Sequence, residues 1–265
     1  MEIKIIGRGL MAGALAGLLG FLFARFFIEP VVGRAIDYEA GRGAAEEALS
    51  GGHHHGDEIE LFSRTVQSGP GMGFGVLGFC LAMGALFAVA FVVVYQRFPG
   101  LSARMTSLAL AAGAFVTVYL VPFIKYPANP PAVGDSDTIT ERTGLYLLML
   151  AFSVGFAAIA LWWGHKLAPK LGAWAATLAA TGGYLVAVAV VMWVMPAVRE
   201  TPQPALGEDG TISYPGFPAA DLADFRLYAV GIQLLIWVTI GLVFGASVSR
   251  LLDSSRRNEV LVSQS

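Results

Sequence analysis

Six long apolar runs constrain the fold of this 265-residue chain more than any other feature. A bilayer core is crossed by about 20 consecutive apolar residues in helical form, and the central part of each run lacks charged residues and histidine. We therefore predict an all-α fold, a polytopic membrane helix bundle in a single integral membrane domain over residues 1–265. The expected spans are approximately 5–28, 72–95, 105–124, 145–163, 171–195 and 227–249.

The composition supports a membrane protein and excludes several other classes. The chain is 56% hydrophobic and 14% charged, whereas soluble domains have about 25% charged residues. Its basic residues are scattered, so no continuous basic surface is expected for nucleic acid. Cys80 is the single cysteine, which excludes an intrachain disulfide and a thiolate metal cluster.

The first apolar run has two interpretations. It follows Lys4 and Arg8, as the apolar core of a secretory signal would. However, Gly9, Gly13 and Gly17 form a GxxxGxxxG pattern that allows two helices to pack closely in a membrane. We prefer a permanent transmembrane helix and keep the signal as the alternative.

Basic residues are distributed unevenly between the two sides of the predicted bundle. One side, with both termini, carries only three acidic residues and nine basic ones: Lys4, Arg8, Arg97, Arg104, Lys166, Lys170, Arg250, Arg256 and Arg257. The other side carries sixteen acidic and eight basic residues. Since cytoplasmic loops are rich in Lys and Arg, we expect both termini in the cytoplasm. Residues 29–71 then form an extracytoplasmic loop rich in histidine and acidic residues.

Three of the four histidines lie in one polar segment of that loop, GGHHHGDEIELF. Neutral imidazole binds cobalt, nickel, zinc and copper, and carboxylates supply charge and further oxygen ligands. We predict a metal-capturing site of modest affinity formed by His53, His54, His55, Asp57, Glu58 and Glu60. The alternative is a solvated loop that binds metals only incidentally.

Two proline-rich segments resemble each other. VPFIKYPANPPAVGD follows the third span and MPAVRETPQPALGE follows the fifth, with Pro122 aligned to Pro196 and Lys125 to Arg199. Spans two and three, and spans four and five, are therefore interpreted as two parallel hairpin repeats. Shared proline-rich composition is the alternative explanation. Arg64, Arg142 and Arg226 also precede spans two, four and six at similar distances.

No catalytic motif accompanies these features. The sequence contains neither GxxxxGK[ST] nor HExxH, the signatures of P-loop nucleotide hydrolysis and of zinc metalloproteases. The predicted spans also lack the buried acid or base that an intramembrane hydrolase would use. We expect no catalytic residues, no enzyme activity and no permanently bound cofactor.

Four segments together resemble the CbtA family, a proposed membrane subunit of a cobalt transporter. They are EPVVGRAIDYE, ELFSRTVQSGPGM, KYPANPPAVGDSDTITERTGLYL and FPAADLADFRLYAVGIQLLIWVTIGLVFG. The resemblance implies cobalt uptake in the bacterial inner membrane, a link to cobalamin supply, and a small single-span, histidine-containing partner similar to CbtB. It places Lys125, Tyr126, Pro127, Asn129, Pro130, Pro131, Gly134 and Asp135 in the family block, with Glu29, Pro30 and Glu39 as secondary matches.

The leading hypothesis is a subunit that admits Co²⁺, with the histidine loop concentrating the ion outside. The entrance to the bundle is predicted to be shaped by Glu29, Glu39, Lys125, Tyr126, Asn129, Asp135 and Asp137. The lipid bilayer and the CbtB-like protein are its expected partners, and the chain is also compatible with an oligomer. The alternative is a membrane metal sensor or scaffold that binds ions and recruits a partner without transport.

Overall fold

The computed structural model of the protein describes residues 2–50, 63–98, 100–134, 138–198, 200–207 and 210–263. This described part is almost wholly helical, with one two-stranded antiparallel hairpin. Six helices in it are long and apolar enough to cross a membrane: Glu2–Leu49, Arg64–Arg97, Ala103–Lys125, Ile139–Leu171, Ala173–Val194 and Ala219–Asp253. The predicted all-α class and the predicted number of about six membrane-spanning helices are confirmed.

Three of the long helices are interrupted by a π-helical turn. The α-helical segments of the described chain are α1 (Glu2–Phe23), α2 (Glu29–Ser50), α3 (Arg64–Val66), α4 (Met72–Arg97), α5 (Ala103–Ala114), α6 (Val121–Lys125), α7 (Ile139–Leu171), α8 (Ala173–Val194) and α9 (Ala219–Ser263). The π-helical turns are Ala24–Ile28, Gln67–Gly71 and Phe115–Leu120. The strands are β1 (Ala205–Leu206) and β2 (Ile212–Tyr214).

Much of the stretch that the sequence suggested to be a loop, residues 29–71, is helical. The first helix continues through Glu29 to Ser50, and helical structure resumes at Arg64. Residues 29–50 are too polar to lie in lipid, but they contain many alanines and glutamates, which have high helix propensity. Hydropathy alone therefore predicts where the apolar run ends, but it does not predict where the helix ends.

The connection between α7 and α8 is also shorter than the sequence suggested. The basic stretch 164–170 continues α7 to Leu171, and α8 begins at Ala173. Gly172 makes the turn alone with a φ of 79°, a conformation that glycine adopts without steric cost. Lys166 and Lys170 thus lie in the last turns of α7, where positive charge interacts favourably with the helix dipole.

The chain divides into two compact units. The first consists of Met1–Val31, His54–Phe115 and Leu227–Ser265, and the second of Val32–His53 and Val116–Arg226.

In the first unit, α1 and α4 pack with their backbones in close approach. A methyl group added at Gly13 would overlap the carbonyl oxygen of Cys80, and one added at Gly84 would overlap the carbonyl oxygen of Gly9. The glycine pattern predicted to mediate close packing therefore does so. In the same unit the Ser107 hydroxyl donates a 2.7 Å hydrogen bond to the carbonyl oxygen of Gly241, which joins α5 to α9.

The second unit has two apolar clusters. The first, between α6, α7 and α8, consists of Val121, Tyr126, Met149, Val188 and Met195. The second links α2 to the segments around the hairpin and consists of Ala35, Tyr38, Val133 and Phe217. Both clusters include residues of the proline-rich segments, Val121, Tyr126 and Met195 in the first and Val133 in the second.

Large apolar side chains cover the outside of the helices. On α8, Trp174 is 77% exposed and Trp193 is 85% exposed. Exposed apolar surface of this extent is unfavourable in water but suits contact with lipid. The chain is therefore a multi-pass membrane protein.

Candidate functional site: a polar cavity in the second unit

A cavity of about 820 Å³ lies within the second unit. Its walls come from the π-helical turn Phe115–Leu120, α6 and the segment after it, the first turns of α7, the segment after α8 and the start of α9. The polar side chains that line it include Tyr126, Asn129, Arg142, Glu200, Gln203 and Arg226. Its volume falls within the range of about 300–1,000 Å³ that is typical of ligand sites.

The two proline-rich segments meet beside this cavity. The Lys125 ammonium group donates a 2.7 Å hydrogen bond to the carbonyl oxygen of Met195. The Tyr126 hydroxyl donates a 2.8 Å hydrogen bond to the carbonyl oxygen of Pro196. The Tyr126 hydroxyl is protonated at neutral pH, as in any unperturbed tyrosine, and burial raises its pKa further. These contacts hold the end of α6 against the end of α8.

The PANPPAVG segment turns sharply after Tyr126. The Val133 amide donates to the carbonyl oxygen of Pro130 at 3.2 Å, and Ala132 adopts a φ of 66°. A non-glycine residue in this left-handed region costs about 1 kcal/mol or more, which the burial of the Val133 side chain helps to offset. Gly134 has a φ of 143°, and a side chain there would also press on the Arg142 guanidinium.

One ion pair closes part of the wall. Arg142 donates from Nη1 to Oε2 of Glu200, and the Thr138 hydroxyl donates to the other oxygen of the same carboxylate. The Glu200 side chain is only 7% exposed, whereas that of Arg142 is 32% exposed. The carboxylate is thus well satisfied, and its charge is neutralised locally.

A second arginine has a different environment. Arg226 donates from Nη2 to the amide oxygen of Asn129 at 2.8 Å. Its Nε is buried and makes no hydrogen bond within the described residues. Since Asn129 is neutral, no described residue that bonds to Arg226 neutralises its positive charge.

The described residues that were predicted to form an entrance do not all belong to the same unit of the chain. Lys125, Tyr126 and Asn129 lie close together, and the latter two line the cavity. Glu29 is in the first unit, where it pairs with Arg64 at 2.6 Å. Glu39 lies exposed on α2 in the second unit. A shared role for these five residues at an entrance stays a prediction.

The remaining predicted site residues lie outside the described part of the chain. They are His53, His54, His55, Asp57, Glu58, Glu60, Asp135 and Asp137. Among the residues that the structure describes, no group of three or more His, Cys, Asp or Glu side chains is placed to hold a metal ion. The loop site for a metal stays a prediction.

Three charged residues of the cavity were not among the predicted site residues: Arg142, Glu200 and Arg226. A signal for the two arginines was present, because both precede a span at a similar distance. That regularity suggested a repeat, and it did not show that both arginines line one cavity. Glu200 carries no comparable signal, since its partner lies 58 residues away in sequence.

Comparison with known proteins identifies the family. The family model described as "Probable cobalt transporter subunit (CbtA)" matches residues 2–249. No curated protein and no solved structure matches the chain. The match includes both proline-rich segments, all the described cavity residues and nearly the whole of the six membrane-spanning helices. The chain therefore belongs to the CbtA family of probable cobalt transporter subunits.

Proposed function

We propose that this chain is the membrane component of a bacterial uptake system for divalent metal, with Co²⁺ as the transported ion. The observation that carries the proposal is the family match over residues 2–249, which coincides with a bundle of six apolar helices. Membership of a transporter-subunit family favours a non-enzymatic role and implies a partner. We take the partner to be a small single-span, histidine-containing protein similar to CbtB.

In this proposal the protein lies in the inner membrane with both termini in the cytoplasm, as the excess of basic residues on that side favours. The segment His53–His54–His55, with Asp57, Glu58 and Glu60, captures the ion outside. Three adjacent imidazoles and three carboxylates supply the ligands that cobalt accepts. We expect this segment to bind the ion with modest affinity, which suits its transfer to the bundle.

Passage through the bundle would use backbone carbonyls, hydroxyls and thioethers at helix interfaces. Two π-helical turns of the first unit, Ala24–Ile28 and Gln67–Gly71, support this route. Such turns disturb the regular pattern of backbone hydrogen bonds and occur frequently at functional sites. The two residues of the Glu29–Arg64 ion pair are close in sequence to the two turns, one to each.

The proposal is tested by uptake of radioactive cobalt into liposomes that contain the purified full chain, with and without the CbtB-like partner. We expect accumulation above that of empty liposomes, and release of the accumulated cobalt by a divalent-cation ionophore. Cobalt that binds without entering the lumen, even with the partner present, would overturn transport and would favour the sensor or scaffold.

A further inference from the structure

The positive charge of Arg226 at the cavity wall has no carboxylate partner in the described part of the chain. Its only hydrogen bond there is to the neutral amide oxygen of Asn129. Arginine does not lose its proton in proteins, so this charge persists at every physiological pH. A cation that is partly removed from water and bonded only to an amide favours an anion as its neighbour.

The other charges of the lining do not supply that anion. The Glu200 carboxylate is already occupied by Arg142 and by the Thr138 hydroxyl. The charges of Arg142 and Glu200 neutralise each other. The described lining therefore has a net charge of one positive unit, which Arg226 contributes. The described lining is therefore complementary to one net negative charge.

The size and walls of the cavity indicate an organic ligand. At about 820 Å³ it is much larger than an inorganic ion requires. The rings of Tyr119 and Phe123 are stacked with centroids 5.3 Å apart, and the Tyr146 side chain lies in the same wall. Aromatic walls with a few polar groups are typical of sites for molecules with a carbon skeleton. The Asn129 and Gln203 amides add hydrogen-bonding groups.

We propose that this cavity binds an organic carboxylate with a single net negative charge, either as an unchelated monocarboxylate anion or as the chelate of a divalent metal. The planar fork of a guanidinium group matches the two oxygens of a carboxylate. A divalent cation bound to a tricarboxylate also carries one net negative charge, whereas a bare divalent cation is repelled by Arg226. Binding of such an anion requires no transport of free Co²⁺.

The test is calorimetric titration of the purified full chain in detergent with four probes: benzoate, cobalt–citrate, citrate alone and cobalt chloride alone. We expect benzoate or cobalt–citrate to bind, and Arg226→Gln to weaken that binding by about tenfold or more, as for loss of a charge-assisted hydrogen bond. Arg34→Gln is the matched control, because it removes the same charge from an exposed arginine of the second unit that pairs with Asp221. We expect it to leave the affinity within about twofold, as for a surface ion pair.

A second variant covers the case in which Arg226→Gln fails to fold, as judged by circular dichroism. Thr143 lines the cavity with an exposed side chain, and Thr143→Trp should occupy the space and weaken binding without removing a charge. Binding of cobalt–citrate but not benzoate identifies the metal chelate as the ligand, and the reverse identifies an unchelated monocarboxylate anion. Absence of binding by both, or equal binding to the native chain and to a folded Arg226→Gln or Thr143→Trp variant, would overturn the proposal. Uptake of unchelated Co²⁺ is measured in a separate experiment, so the proposed transport function can fail or hold independently of the outcome of this binding test.

Discussion

The Glu29 carboxylate accepts a 2.6 Å hydrogen bond from Nη2 of Arg64, and this ion pair joins the first spanning helix to the start of the second. The Glu29 side chain is 13% exposed, while that of Arg64 is 39% exposed. Glu29 directly follows the π-helical turn Ala24–Ile28, and Arg64 lies three residues before the first residue of the turn Gln67–Gly71. The pair therefore holds two irregular turns of the first unit together.

Replacement of Glu29 by glutamine should lower stability, because Arg64 would lose the charge that compensates it. We expect a loss of about 1–2 kcal/mol, between the values for exposed and for buried ion pairs. The loss of stability is measured from the thermal unfolding of the detergent-purified protein, with size-exclusion chromatography used to monitor the folded fraction. Glu39→Gln is the matched control, since Glu39 is exposed on α2 and forms no ion pair within the described residues. Equal loss in both variants would contradict a stabilising role for the pair.

Alanine substitutions of two glycines on α1 should have opposite effects. Gly13→Ala places a methyl group against the carbonyl oxygen of Cys80, so it should separate α1 from α4 and destabilise the protein by about 1–3 kcal/mol. Gly7→Ala meets no atom within 4 Å and should be neutral or stabilising by up to about 1 kcal/mol, because alanine favours a helix. The difference in melting temperature between the two variants checks the prediction, and similar values would refute the close packing.

The cavity wall should depend on Glu200. Glu200→Gln leaves the Arg142 guanidinium without its carboxylate and weakens the bond from Thr138. We expect a loss of about 2 kcal/mol, less than for a fully buried pair because Arg142 is about one-third exposed. A double-mutant cycle with Arg142→Gln measures the coupling. Glu141→Gln, at an exposed glutamate of α7, is the control, and a coupling energy near zero would contradict the prediction.

The sequence predicts the spanning helices well, because the hydropathy of an apolar run is a local property. The spacing of Gly9 and Gly13 is also a local property of the sequence, and this spacing allows close contact between helices. The helix at residues 29–50 does not follow from hydropathy, because hydropathy distinguishes lipid from water, whereas helix propensity also acts outside the membrane. The end of an apolar run therefore does not predict the end of the helix.

The cavity could be predicted only in part. Tyr126 and Asn129 were predicted as residues of an entrance, because they belong to a proline-rich string that resembles the CbtA family, and both line the cavity. The Arg226–Asn129 bond joins residues that are 97 positions apart, and the Arg142–Glu200 pair joins residues 58 positions apart. Nothing in the local pattern of one chain specifies which distant residue completes such a pair, so these contacts required the fold.

The histidine segment provides a prediction about the Co²⁺ concentration at which uptake is half-saturated. Replacing His53, His54 and His55 together with alanine should raise the half-saturating Co²⁺ concentration several-fold, because imidazole supplies the strongest cobalt ligands of that segment. Uptake into liposomes at a series of Co²⁺ concentrations measures it. His165→Ala is the control, since it removes the remaining histidine, which lies on α7, and should leave the concentration dependence unchanged. An unchanged value in the triple variant would make the segment a solvated loop.

The predicted orientation can be checked by cysteine labelling. In a Cys80→Ser background, Gly52→Cys places a thiol in the histidine segment, and Lys166→Cys places one near the C-terminal end of α7. The asymmetry of basic residues predicts that these positions lie on opposite sides of the membrane. A membrane-impermeant maleimide added to intact spheroplasts should therefore label Gly52→Cys at once, and Lys166→Cys only after the membrane is opened. If the impermeant reagent instead labels only Lys166→Cys, the carboxylates and imidazoles of the segment face the cytoplasm. They could then receive an ion that has crossed the bundle, but they could not capture it outside.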